Sequence, residues 1–352
     1  MIETATDLAN FLGNCADTDG QRVCAIDTEA DSLHRYRESL CLIQFTAGSE
    51  CVLIDPLAIE DLSPLDDYLK DSTVWMHGAD YDMTMLKREF GHLPATVFDT
   101  QIGARLLGVQ KFGLGNLVEH YFGIVLSKSS QKADWGKRPL SEKMIDYALN
   151  DVRYLLQMGE IIVAQLKEKG RYGWFVESCE SARAKVADRD DSKEDQWRIS
   201  GSGKLDPYGL ACLRALWNWR DKEAEAWDKP SFMVATNRNL IEWSQLLAEK
   251  DNVVLPHHFR GDRVKRYKQA LTDLKTLPKS EWPTRILTKR RKRDREFDRK
   301  VDDMIARRNS IAGELGIDGS LVASRSVIET LATGEAQPSE LMMKWQMDLL
   351  EL

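Results

Sequence analysis

Four short apolar segments near the N-terminus constrain the fold of this chain most strongly. They read RVCAID, LCLIQFTA, CVLID and TVWMHG, and each is rich in β-branched or aromatic residues and bounded by turn residues. The links between the first three predict an antiparallel meander. Helical patterns follow, and the clearest runs from Ser141, a suitable N-cap, to Gly170. Strands followed by packed helices predict an α/β layered domain.

Two carboxylates stand where the first apolar segment would continue as a buried strand. Asp27 and Glu29 are two residues apart, so on a strand their side chains share one face. Burying both is costly unless a positive charge lies between them, and a divalent cation prefers such oxygen ligands. The spacing alone leaves a second interpretation open, in which the strand ends at Ile26 and both acids are solvated.

Three further residues extend this acidic pattern. Asp82 opens a helix just after the fourth apolar segment, and Tyr147 and Asp151 lie one turn apart on one face of the long helical pattern. Asp80 is a second acid at this strand-to-helix turn, two residues before Asp82. Together, the acids and the tyrosine indicate an active site more strongly than any one of them does.

This combination resembles the three motifs of the DEDD 3′–5′ exonuclease superfamily, in its tyrosine-bearing (DEDDy) branch and most closely the ribonuclease D family. The matching stretches include IDTEADSLHRYRESLCLIQF, FDTQIGARLLG and KSSQKADWGKRPL, and the resemblance covers about residues 5–170. It implies a ribonuclease H-like fold, a mixed sheet flanked by helices. It also implies two divalent metal ions, Mg²⁺ with Mn²⁺ as a substitute, held by Asp27, Glu29, Asp82 and Asp151. The family's second-motif acid stands four residues before an apolar helix position and eight before an FG pair, and this resemblance selects Asp82 over Asp80. Tyr147 would then orient the attacking water.

The second half of the chain is predicted to be helical and separate. A polar stretch at 176–206 is expected to be a linker between the exonuclease domain at 1–175 and a helical domain at 207–284. LRALWNWRDKEAEAWDKP and the helix after it resemble the HRDC domain, a helical module of some DNA helicases and of ribonuclease D. A fainter resemblance at 285–352 predicts a second HRDC-like domain.

Two groups of residues are candidates for contact with nucleic acid. Lys128, Trp135 and Arg138 precede the third motif and could contact a phosphate and the terminal base. The densest basic run, TKRRKRDREFDRK, is either a solvated surface or a phosphate-binding segment. Its candidate contacts are Arg290, Arg291 and Arg293.

Composition and the absence of certain motifs limit the classes of binding partner that this chain can have. The net charge of −7 argues against a uniformly basic surface, and the absence of a signal-like segment or a long apolar run predicts a cytoplasmic protein without membrane contact. No phosphate-binding GxxxxGK[ST] motif appears, so we expect no nucleotide cofactor. The resemblance implies an exoribonuclease that trims RNA 3′ ends, as in tRNA maturation, and releases 5′-phosphomononucleotides. The alternatives are an exonuclease acting on DNA and a non-catalytic RNA-binding scaffold.

Overall fold

A computed structural model describes residues 1–15, 21–127, 129–190, 195–250, 253–286 and 295–352. Its strands are β1 Arg22–Ala30, β2 Leu40–Ala47, β3 Glu50–Ile54, β4 Ser72–Met76 and β5 Thr96–Asp99. The helices before residue 190 are α1 Ala5–Asn14, α2 Ser63–Lys70, α3 Asp80–Phe90, α4 Thr100–Leu106, α5 Leu114–Phe122, α6 Glu142–Arg153, α7 Leu155–Glu168 and α8 Tyr172–Ala187. The later helices are α9 Pro207–Trp227, α10 Ser231–Val234, α11 Asn237–Ala248, α12 Gly261–Thr276, α13 Arg295–Leu315, α14 Gly319–Val322, α15 Arg325–Thr333, α16 Pro338–Leu341 and α17 Lys344–Leu350. No helix in these described ranges has the length and apolar character needed to span a bilayer.

The five strands form one mixed sheet in the order β3-β2-β1-β4-β5. β1, β2 and β3 pair antiparallel, which confirms the predicted meander, while β4 runs parallel to β1 and β5 runs parallel to β4. The predicted sheet omitted β5, because its four residues are too short to give a periodic signal. The carboxyl ends of β1 and β4 therefore lie at the same edge of the sheet.

Apolar side chains cover both faces of this sheet. On one face, Ile26, Phe45 and Met76 pack with residues of α1, α2 and α3. On the other face, Ala25 and Trp75 join a cluster with residues of α4, α7 and α8. A smaller cluster on that second face combines residues of β2 and β3 with α6, and it contains Leu42, Leu53, Trp135, Leu140 and Ala148.

The long helix predicted from Ser141 onward is divided in the structure. Ser141 caps α6 as predicted, accepting a hydrogen bond from the backbone N–H of Met144. Helix α6 ends before Tyr154, whose φ of −103° and ψ of −7° depart from regular helix values, and α7 begins at the next residue. Both helices contact β1, but α6 otherwise packs on β2 and β3 whereas α7 packs on β4. The break thus lets one apolar pattern follow the twisted sheet.

The chain divides into two compact units. One comprises Met1–Ala30, Leu40–Arg189 and Lys292–Leu352, and the other comprises Asp31–Ser39 and Asp190–Arg291. Helices α9 to α12 belong to the second unit, whose core includes Leu213, Trp219, Leu240, Trp243 and Tyr267. In the same unit, the segment that follows β1 is held by an ion pair between Arg35 and Asp228.

The domain boundaries differ from those expected from the sequence. Helix α8 continues to Ala187, so the first part of the expected linker at 176–206 is helical. The C-terminal helices, expected as a separate domain at 285–352, belong to the same compact unit as the sheet. Trp345 stacks on Trp174 with 5.0 Å between the ring centroids. The Arg171 guanidinium donates to the carbonyl of Leu315, which also joins the C-terminal helices to this unit. The resemblance of these helices to a second HRDC domain stays a prediction.

Helix α7 approaches the sheet closely at one glycine. A Cβ atom at Gly159 would lie 2.9 Å from the ring of Trp75, which is itself buried among aromatic side chains. We predict that Gly159→Ala lowers the free energy of unfolding by about 1–3 kcal/mol, because the ring cannot move away. Urea denaturation would measure this.

Gly173 provides the matched control for this prediction. It lies in α8, it is exposed, and a Cβ there would meet no atom within 4 Å. Gly173→Ala should therefore leave stability unchanged or raise it by up to about 1 kcal/mol. Equal effects of the two substitutions would contradict the close approach of α7 to β4.

Candidate active site

Three carboxylates meet at the end of β1. Oxygen atoms of Asp27, Glu29 and Asp151 all lie within 4.8 Å of one another. Asp27 and Glu29 lie on the β1 face that also carries Ala25, and a register shift between Glu29 and Ala30 interrupts the pairing with β2. Asp151 comes from α6, which covers the same face. The strand does not end at Ile26, and the alternative of two solvated acids at a strand end is therefore wrong.

The structure separates the two candidate acids of α3. Asp80 is exposed and pairs with the guanidinium of Arg189 at 2.6 Å. Asp82 is only 5% exposed, and its Oδ1 accepts hydrogen bonds from the backbone N–H of Thr28 at 2.9 Å and from the Thr28 hydroxyl at 2.6 Å. Asp82 is thus held beside the residue that separates Asp27 from Glu29, although it is not one of the three clustered acids.

Sequence reasoning missed the residue that shapes the turn before α3. Asp99, at the end of β5, accepts hydrogen bonds from the backbone N–H groups of Gly78 and Ala79, each at 2.9 Å. It also caps α4 by accepting from the N–H of Gln101. Gly78 has φ +69°, a left-handed conformation that favours glycine, and Asp99 fixes this turn. The only sequence signal was an aspartate directly before a helical pattern, which is typical of an N-cap.

Burial, together with repulsion from neighbouring carboxylates, raises the pKa values of these acids. Burial and the neighbouring Asp82, Asp151 and Glu29 hold the pKa of Asp27 well above its usual range. Burial, followed by repulsion from Asp151 and Asp82, raises the pKa of Glu29 to about 8. Burial raises the pKa of Asp151 to about 7 and that of Asp82 to about 6. Without a cation the cluster therefore cannot ionise fully at neutral pH.

Tyr147 is half-buried on α6, one turn before Asp151. Burial, with the adjacent carboxylates of Asp151, Glu29 and Asp27, raises its pKa above the ordinary value. Its phenol therefore keeps its proton at neutral pH and can donate a hydrogen bond. The ring centroid lies 6.0 Å from that of Trp135, which helps to fix its orientation.

Two of the residues expected to contact nucleic acid, Trp135 and Arg138, have structural contacts within the fold. Trp135 is 1% exposed and belongs to the cluster under α6, so it offers no face on which a base could stack. All five N–H donors of Arg138 are engaged, by the Asp55 carboxylate and by the carbonyls of Trp135, Lys137 and Cys41. Asp55 could not be recognised from the sequence as the ion-pair partner of Arg138, because the two residues are 83 positions apart. The buried Trp135 ring is therefore not a stacking surface in this structure. Contact of Arg138 with nucleic acid stays a prediction, since its side chain is partly exposed.

The other expected contacts are not tested by the structure. Lys128 lies outside the described residues, as do Arg290, Arg291 and Arg293 of the basic run. Their proposed contacts with phosphate stay predictions.

The donor set of the cluster fits a hard divalent cation. Its ligand atoms are carboxylate oxygens, which Mg²⁺ and Mn²⁺ prefer, and the raised pKa values indicate that positive charge would relieve the repulsion. The residues present are therefore compatible with the metal ions that the DEDDy resemblance implies.

Comparisons with known proteins support the fold and identify the family. A family model described as a 3'-5' exonuclease matches residues 1–167, and one described as an HRDC domain matches residues 209–253. Ribonuclease D of Xanthomonas oryzae pv. oryzae is 30% identical over 331 residues, which cover 93% of this chain and 90% of that protein. Ribonuclease D of Cronobacter turicensis is 34% identical over 247 residues, covering 68% of this chain and 65% of that protein.

A solved structure extends the similarity to the whole chain. The crystal structure of Escherichia coli RNase D, described as an exoribonuclease involved in structured RNA processing, has a TM-score of 0.76 and 26% sequence identity. The superposition covers 100% of this chain and 98% of the E. coli chain. The fold and site define a 3′–5′ exonuclease with a mixed sheet flanked by helices and a helical HRDC domain. The chain belongs to the ribonuclease D family and is a 3′–5′ exoribonuclease, which sets aside the alternative of a non-catalytic scaffold.

The raised pKa values predict how stability depends on pH in metal-free protein. In the folded state these acids keep protons that the unfolded chain releases near pH 4, so stability should fall as pH rises from about 4 to about 8. Asp151→Asn removes one charge from the cluster. We predict that, in EDTA, this variant is more stable than the wild type by roughly 1–3 kcal/mol at pH 8.5 and that the difference shrinks at pH 5.

Urea denaturation at the two pH values would test this expectation. Asp80→Asn is the matched control, because Asp80 is exposed and lies outside the cluster. Its effect should be below about 1 kcal/mol and should not grow with pH. A stability difference for Asp151→Asn that is the same at both pH values would contradict the crowding of these carboxylates.

Proposed function

We propose that this exoribonuclease removes nucleotides from RNA 3′ ends by hydrolysis that depends on two divalent metal ions. The observation that carries the proposal is the cluster of Asp27, Glu29 and Asp151, with Asp82 held beside it by Thr28. Asp27, Glu29 and Asp151 would hold the first ion. Asp27 and Asp82 would hold the second, Asp82 through water. Mg²⁺ is the expected ion, and Mn²⁺ should substitute for it.

The metal ions, when bound, would lower the pKa of the attacking water and stabilise charge on the phosphate and on the leaving 3′ oxygen. Tyr147 contributes a neutral phenol beside Asp151 and Glu29. Because it keeps its proton, it would orient the attacking water by hydrogen bonding and would not act as a base. Trp135 supports its ring, and Arg138 holds the segment that carries Trp135 by donating to Asp55 and to the Trp135 carbonyl.

The proposed substrate is a structured RNA with a free 3′ end, such as a tRNA precursor, and the products are 5′-phosphomononucleotides. Similarity to the E. coli enzyme, described as acting in structured RNA processing, supports this substrate class. The HRDC domain supports binding of nucleic acid outside the active site. An exonuclease acting on DNA would use the same acids, since contacts to the 2′-hydroxyl and not the metal chemistry distinguish the two substrates.

Substitution of Asp27 tests the proposed chemistry. We predict that Asp27→Ala lowers the rate of 3′-end shortening by about 10²–10³-fold or more, because Asp27 would contact both ions in the proposed site. The measurement is a time course on 5′-labelled RNA with Mg²⁺, run beside a DNA oligonucleotide of the same sequence. Asp80→Ala, which changes the exposed acid of the same helix turn, serves as the control and should retain activity.

Comparison of the RNA and DNA oligonucleotides in this assay also tests which nucleic acid the enzyme prefers. Equal rates on RNA and DNA would contradict a preference for RNA. Equal rates of 3′-end shortening in Asp27→Ala and in the wild type would contradict the proposed active site.

Tyr147→Phe tests the orienting role of the phenol. Removal of the hydroxyl should lower kcat by about 10–10²-fold while KM and the Mg²⁺ dependence stay close to those of the wild type, because no metal ligand is lost. Steady-state kinetics over a range of RNA and Mg²⁺ concentrations would measure this. Tyr154→Phe is the control, because the ring of Tyr154 packs on Phe122 with 5.5 Å between the ring centroids. An unchanged kcat for Tyr147→Phe would contradict the role.

A further inference from the structure

Gln44 is a fully buried amide on the sheet face that carries the acid cluster. It lies in β2, it is 0% exposed, and its antiparallel partners are Asp27 on β1 and Leu53 on β3. Directly opposite residues of antiparallel strands project from the same face, with Cβ atoms about 4.5–5.5 Å apart. The side chains of Gln44 and Asp27 are therefore neighbours.

The remaining surroundings of Gln44 on this face are mostly apolar. Leu42 precedes it by two residues on the same face, Leu53 lies opposite on β3, and both belong to the cluster that Ala148 of α6 completes. Thr46, two residues further along, donates its hydroxyl hydrogen to the Cys51 sulfur at 3.2 Å. A leucine or methionine at position 44 would pack against these side chains equally well.

Neither polar atom of the Gln44 amide has a hydrogen-bond partner within the described part of the chain. A buried group without a partner costs about 1–3 kcal/mol, and an amide here has two such groups. An apolar side chain of the same size would avoid that cost. An amide at this position therefore fits hydrogen bonds that form only when the acid cluster has bound its cation.

We propose that Gln44 is a positioning residue for the metal site, an inference that rests on the function proposed above. With the cation bound, the NH₂ group of Gln44 would donate to the Asp27 carboxylate, and its carbonyl oxygen would accept from a water molecule on the ion; neither bond is present in the described part of the metal-free fold. The amide suits this place because it both donates and accepts, whereas the ionised acids can only accept. Hydrogen bonds of this kind orient metal-binding carboxylates and adjust the affinity for the ion.

Gln44→Met tests the proposal, because methionine keeps the length of the side chain and removes both polar groups. We expect the affinity for Mn²⁺, measured by calorimetric titration of the protein without RNA, to fall by about 10–100-fold. The Mg²⁺ concentration for half-maximal RNA cleavage should rise by a similar factor. Metal-free Gln44→Met should be at least as stable as the wild type, since the unpartnered amide is gone.

Thr46→Val is the matched control. Thr46 is a buried polar residue on the same strand and face, but it pairs with Ala25 and its hydroxyl has a partner within the fold. It should bind Mn²⁺ as the wild type does. Equal Mn²⁺ affinities of Gln44→Met and the wild type would overturn the proposal and make Gln44 an ordinary core residue.

Asp27→Ala separates this inference from the proposed function. If Asp27→Ala loses Mn²⁺ binding while Gln44→Met keeps it, the role of Gln44 alone fails. If Asp27→Ala binds Mn²⁺ like the wild type, the proposed metal site fails and the inference fails with it.

A measurement on the wild type covers the case in which Gln44→Met does not fold. The side-chain amide resonance of Gln44 should shift during an Mg²⁺ titration with the midpoint of metal binding. A resonance that stays unchanged at saturating Mg²⁺ would overturn the proposal.

Discussion

Repulsion among crowded carboxylates is the constraint on which the rest of this structure depends. Asp27, Glu29 and Asp151 bring their oxygens within 4.8 Å of one another in a partly buried site, and each carries a raised pKa. Such a cluster costs stability in the metal-free protein and gains affinity for cations in return. The packing of the sheet and its helices must hold the acids together against this repulsion.

The scaffold does this with groups that do not themselves belong to the cluster. The parallel pairing of β1 and β4 places the start of α3 beside the end of β1, and Thr28 and Asp99 then fix Asp82 and the turn before it. On the opposite side, the ion pair of Arg138 with Asp55 holds the segment whose Trp135 packs against Tyr147. Polar residues near the active site thus serve mainly to position others.

Local pattern predicted the elements and the principal acids, but not their supporting contacts. Periodicity predicted that Asp27 shares a face with Glu29 and Tyr147 with Asp151. Their selection as an active site needed the combined motifs and the family resemblance, because each spacing alone is also compatible with solvated or ordinary core residues. Arg138 was assigned to nucleic acid because its partner Asp55 is distant in sequence. Gln44 went unnoticed because a glutamine in an apolar strand gives no periodic signal, and the union of Lys292–Leu352 with the sheet depends on tertiary contacts such as Arg171 to Leu315.

The central claim is that the carboxylate cluster is a site for two divalent metal ions, and anomalous X-ray scattering from crystals soaked in Mn²⁺ tests it most directly. The account predicts two peaks about 3.5–4 Å apart, one contacted by Asp27, Glu29 and Asp151 and the other lying between Asp27 and Asp82. The absence of any peak at this cluster in a well-ordered crystal, or strong peaks only at other acidic groups, would contradict it.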